Sequence, residues 1–223
     1  WCLPSRARPG RAASGSPPTA APAPGHRAAP GPRARPPLPT LLSLTRHADA
    51  GVRHFSGTAT YSRSVDIPED ALRKGRRIFL DLGRVEVLAG VKVNGKDLGT
   101  TWKEPYHVEI TDAVKPGSNA IEIALTNLWA NPMIAGAALP EEGDFVAGDW
   151  PGGQRVAADG KKSDIMARRI TALPDWYLAG KAKPAGGRIA FMPWTFYQPN
   201  EPLLDSGLLG PVRVVFADTV KVE

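Results

Sequence analysis

Cysteine occurs once in the 223 residues, at Cys2. Neither a disulfide nor a cysteine-ligated metal can therefore belong to the body of the chain. The histidines are His26, His47, His54 and His107, and no two stand three or four residues apart as zinc ligands on one element would. Calcium held by loop carboxylates has no supporting pattern, and no metal or cofactor is expected. A glycine-rich phosphate cradle and a nucleophile elbow are both missing. No apolar run reaches about eighteen residues, so no membrane-spanning helix is expected. There is no charged segment followed by a short apolar stretch at the start, and hence no visible signal peptide. The first residue is Trp1 rather than Met, and the chain is read as a piece of a longer protein.

Acidic residues and lysine are absent from the first forty positions, which hold six arginines and eleven of the 23 prolines. The other 22 of the 28 basic residues face all 22 acidic ones. The formal charge of +6 thus belongs to the opening segment, and the remainder is neutral. Nucleic-acid binding is therefore not expected from charge. Residues 1–45 read as a disordered tail, too poor in large apolar side chains to offset the entropy of ordering. Two origins stand for this text: a flexible linker or basic arm, or a GC-rich gene read out of frame.

Positive signals begin near residue 51, where apolar side chains alternate with polar ones, the period of a half-buried strand. Ala59, Tyr61, Val65 and Ile67 mark one strand, with Arg63 interrupting its apolar side. Ile78, Leu80 and Leu82 mark a second, after a short helical or looped piece from Pro68 to Gly75. Val85, Val87, Ala89, Val91 and Val93 mark a third. Asn94-Gly95 is the favoured pair for a tight hairpin turn, because both central residues need positive φ. The chain returns over Lys96 to Trp102. Val108 and Ile110, then Ile121, Ile123 and Leu125 after the turn Lys115-Pro116-Gly117, continue the pattern. Residues 129–187 are irregular and rich in Gly, Pro and Ala. Ile189–Phe196 and Val212, Val214 and Phe216 read as the closing strands. With no long amphipathic helix and no internal repeat, the expected fold is all-β: an antiparallel sandwich or jelly roll over residues 46–223.

Particular residues then carry a family resemblance. Phe55-Ser-Gly-Thr-Ala-Thr-Tyr61, Leu80-Asp-Leu-Gly83 and Val91-Lys-Val-Asn-Gly95 resemble, in that order, the opening landmarks of the galactose-binding-like jelly roll of family 2 glycoside hydrolases. Trp102, Pro105-Tyr106, Ile110-Thr-Asp112 and Gly117-Ser-Asn119 continue the series. Thr126-Asn-Leu-Trp-Ala-Asn131 and Ser206-Gly-Leu-Leu-Gly-Pro-Val212 look like segments of the α-L-rhamnosidase-like enzymes of family 106. After Asn131 that pattern has Arg-Leu-Ile-Gly-Asp, whereas this chain has Pro132-Met-Ile-Ala-Gly136.

The resemblance implies a non-catalytic C-terminal module whose catalytic carboxylates lie in a barrel domain elsewhere in the same polypeptide. It further implies a carbohydrate partner, with rhamnose-containing polysaccharide in view, and a parent that is secreted or periplasmic. A free-standing carbohydrate-binding module and a purely structural docking domain are the alternatives.

Glycoside hydrolysis needs two carboxyl groups at a fixed separation. The densest acidic cluster, Glu141-Glu142-Asp144, lies in the irregular stretch and reads as a solvated turn. Sugar rings are held by aromatic faces and rim polar groups. The candidates for carbohydrate contact are Trp102, Tyr106, Trp129, Asn131 and Trp194, set against the tendency of aromatics to fill cores. Asn94 and Asn119 are read as turn residues, and Gly207 and Gly210 as relieving backbone crowding near the last strand.

Overall fold

The computed structural model describes residues 41–150, 152–188 and 192–218, all within one compact unit. The expected tail at 1–40 lies outside the described residues. Within 41–45, grouped with that tail on composition, Leu41, Ser43 and Leu44 pack on the body of the unit. Ser43 and Leu44 are buried, and the Leu44 amide donates to Ser206 O at 2.7 Å.

The strands in chain order are β1 (Thr58–Ile67), β2 (Arg76–Asp81), β3 (Arg84–Glu86), β4 (Leu88–Val93), β5 (Lys96–Thr101), β6 (His107–Glu109) and β7 (Gly117–Thr126). The later ones are β8 (Asp144–Ala147), β9 (Gly153–Val156), β10 (Lys162–Ile165), β11 (Arg168–Ala172), β12 (Gly207–Gly210) and β13 (Arg213–Asp218). Three short helices intervene: α1 (Ala50–Arg53), α2 (Ala130–Ala137) and α3 (Asp175–Leu178).

One sheet has the order β1-β7-β4-β5; facing it are β13-β2-β6 and the pair β12-β3. Every named strand pair is antiparallel. Between the layers lie Ile78, Leu80, Leu82, Val85, Ala89, Val91, Val93, Ile110, Ile121, Ile123, Leu125 and Leu208. Each large side chain buried there contributes roughly 1.5–3 kcal/mol. The alternation marking β2, β4 and β7 is thus the alternation between interior and solvent. Arg63 points to solvent, so the break in β1's apolar side needs no buried partner.

The Asn94-Gly95 turn forms as expected, with φ of 51° and 83° and Val93 opposite Lys96. Asn119, fully buried, turns the chain into β7. Its Nδ2 donates to Lys115 O and Gly117 O, and its Oδ1 accepts from Lys115 N and Asn94 Nδ2.

Two expectations change. The third strand is two strands: β3 pairs with β12 in one layer and β4 with β7 in the other, the chain crossing at Val87. The strand expected at Ile189–Phe196 has its first three residues outside the described set. In the rest, only Trp194 forms a bridge, to Ala167. The irregular stretch also contains α2 and two hairpin-like pairs, β9-β10 and β8-β11, which short, polar strands did not announce. No helix among the described residues is long and apolar enough to cross a membrane.

Candidate functional site

The five expected sugar-contact residues fall in three environments. Trp102 follows β5 and Trp129 follows β7. The register Thr101–Ala89–Leu125 puts both at the same end of the four-stranded sheet. They are 68% and 70% exposed, with Leu128 exposed beside Trp129 in sequence and Leu88 exposed opposite Thr126 at the end of β7. Such side chains contribute little to the core and are free to meet a ligand or another domain.

Tyr106 and Asn131 are different. Tyr106 is 8% exposed, and its hydroxyl donates to Val87 O at 3.1 Å, where the chain changes layers. Burial, then the Glu104 and Glu86 carboxylates, hold its phenol above the usual pKa. Asn131, on α2, is 3% exposed and uses both amide atoms on the backbone of Leu204: Nδ2 donates to the carbonyl at 2.8 Å, and Oδ1 accepts from the amide at 2.9 Å. These two hold the fold.

Trp194 stands apart, 38% exposed, on the wall of a cleft of about 130 Å3. Met133, Gly136 and Ala137 come from α2, and Tyr197 and Gln198 from the stretch beyond Trp194. The Trp194 stretch is seated by the Arg168 amide on Pro193 O (2.6 Å) and the Thr195 amide on Met166 O (3.0 Å). Beyond it, Arg155 forms a buried ion pair with Glu201 and lies 4.7 Å from the Tyr197 ring centre and 5.2 Å from that of Phe196.

Three ionised residues line this cleft, and sequence reading missed them as a group. Glu141 accepts from Arg168 Nη1 at 2.7 Å and lies 2.6 Å from Arg188 Nη1. Arg188 also donates to Ala137 O, a carbonyl left open at the end of α2, and to Leu139 O just beyond it. Arg168 donates to Met192 O at 2.7 Å, and its guanidinium carbon lies 4.4 Å from the Phe145 ring centre. Glu142 pairs with Lys183. Glu141 and Glu142 are thus tied to basic partners, which corrects the reading of a freely solvated turn. The partners stand 27 or more positions away, beyond any local pattern. Among the described residues, no group of three or more His, Cys, Asp or Glu is placed to hold a metal ion.

The arrangement is a two-layer sandwich with exposed tryptophans at one end of a sheet and a cleft lined by two arginines and a glutamate. Residues 44–168 match the family model for the glycosyl hydrolase 2 galactose-binding domain-like fold. The chain belongs to that family. A protein of Formosa agariphila named provisionally as a beta-glucuronidase is 35% identical over 78% of the chain. The solved structure of a rhamnosidase from Novosphingobium sp. PP1Y is 32% identical over 79% of it, with a TM-score of 0.54. A Lactobacillus rhamnosus beta-glucuronidase is 27% identical over 56% of the chain, with a TM-score of 0.36. The chain spans 13%, 12% and 19% of these three proteins respectively.

Proposed function

We propose that this domain is a non-catalytic module of a rhamnosidase-like glycoside hydrolase, with the bond-breaking carboxylates in a barrel domain of the same polypeptide. The observation that carries this reading is the likeness to the Novosphingobium rhamnosidase, which extends over 79% of the chain but only 12% of that enzyme. Chemistry within the domain supports it. Glu141, which lines the cleft at Trp194, is held by Arg168 and Arg188, and its neighbour Glu142 by Lys183, so neither carboxylate is left open to a substrate.

Trp102, Trp129 and Trp194 are the side chains of this module that meet carbohydrate. Tyr106 and Asn131 serve by holding the backbone beneath them. The module's partner is a polysaccharide, and rhamnose is the sugar its parent releases. The test is incubation of the purified chain with an aryl α-L-rhamnoside. No aryl alcohol release is expected, and release at an enzymatic rate would overturn the proposal. A parent protein lacking a barrel domain would overturn it as well.

A further inference from the structure

The cleft at Trp194 has a charge balance that the fold does not use up. Its walls carry two guanidiniums, Arg168 and Arg188, and a single carboxylate, Glu141. Of the Arg168 donors, Nη1 is engaged by Glu141 and Nη2 by Met192 O. Its Nε is buried and has no hydrogen-bond partner among the described residues. A buried donor without an acceptor is uncommon in folded proteins and points to a missing partner. The guanidinium presents N–H groups in a planar fork, which matches the two oxygens of a carboxylate better than a single hydroxyl. Stacking beside Phe145 fixes the plane of that fork. Trp194 and Tyr197 supply aromatic surface to the same cleft, the partner of choice for the apolar face of a pyranose. Its 130 Å3 compares with about 10–15 Å3 for one water on this measure, so it admits a carboxylate with the ring that bears it.

We propose that this cleft binds an acidic sugar, a uronate, through Arg168 and Arg188, with Trp194 against the ring. The inference rests on the glycosidase-module reading for its choice of a saccharide. The second arginine offsets the charge of the incoming carboxylate, while Glu141 holds both guanidiniums in place. Neither Trp102 nor Trp129 is among the residues lining this cleft.

The experiment is calorimetric and NMR titration of the full chain with D-glucuronate, D-galacturonate, D-glucose, L-rhamnose and acetate, at low and physiological salt. A uronate is expected to bind at least about tenfold more tightly than the neutral sugars and than acetate. Arg168→Gln and Arg188→Gln are each expected to weaken it about tenfold or more. Trp194→Ala is expected to weaken uronate while leaving acetate unchanged. Equal binding of uronates and neutral sugars by the wild type overturns the proposal, and this comparison needs no variant to fold. Equal binding of acetate and uronate overturns it too, in favour of a small-anion or side-chain carboxylate site. So does undiminished uronate binding by both arginine variants with wild-type near-ultraviolet dichroism. Failure of these arms leaves the module reading standing, because that reading fails only on the rhamnoside test or on a parent without a barrel.

Discussion

Gly83 and Gly210 meet backbone against backbone, bridging the two strand groups of the second layer: a Cβ placed on Gly83 would lie 2.5 Å from the Gly210 carbonyl carbon. Gly83 also has φ of +62°. Gly83→Ala is therefore expected to cost roughly 3 kcal/mol in urea unfolding, combining a clash with backbone strain. Gly75→Ala, at similarly positive φ but with nothing within 4 Å of the added carbon, is expected to cost only about 1 kcal/mol. Equal costs would show that the close approach is not what fixes glycine here.

The tryptophans at the end of the four-stranded sheet should be separable from stability. Trp102→Ala and Trp129→Ala are expected to change the unfolding free energy by less than about 0.5 kcal/mol, as surface changes do. Tyr106→Phe, which strands the half-buried Val87 carbonyl, should cost about 1 kcal/mol despite removing a single atom. Chemical denaturation of the three variants checks both halves.

The Arg155–Glu201 pair is buried on both sides, with side chains 12% and 4% exposed. Glu201→Gln leaves a guanidinium without its counter-charge and is expected to loosen the surrounding stretch by roughly 3 kcal/mol. Faster hydrogen exchange at Gln198, whose amide donates to Glu201, is the expected sign. Unchanged protection there would remove the pair from the account of how Tyr197 is positioned.

Acid should weaken one edge of the sandwich first. Asp218 accepts hydrogen bonds from Arg76 and Arg73, which hold its carboxyl far below the usual range. A carboxylate with a depressed folded-state pKa contributes stability above its unfolded value, 3.8, and loses that contribution as pH falls towards the folded value. Asp218→Asn is expected to lower Tm at neutral pH and to converge with the wild type in strong acid. High salt should shrink the neutral-pH difference, since the pair is exposed.

Much of the sandwich was legible because the interior is built by strict alternation. Ile121, Ile123 and Leu125 face inward for the same reason they are spaced by two. The Asn94-Gly95 hairpin and the roles of Asn94 and Asn119 were legible because turn chemistry is local. The change of layer at Val87 was hidden because alternation runs unbroken from Val85 to Val93 while the hydrogen-bonding partners change. The burial of Tyr106 and Asn131 and their bonds to backbone were not legible, because a motif gives residue type without burial. The reverse held for Glu141, Arg168 and Arg188: three charged residues on separate segments carry no spacing signal, and only the fold makes them neighbours.

The grip of Asn131 on Leu204 has a further consequence. The excursion between them departs and re-enters at one point, so its length is decoupled from the strands that close the sandwich. The described residues between them are therefore tethered at a single point beside β7 and β12. On the proposed reading, Trp194 and its cleft are thus carried by a segment whose ends are pinned together, apart from the closure of the sandwich itself.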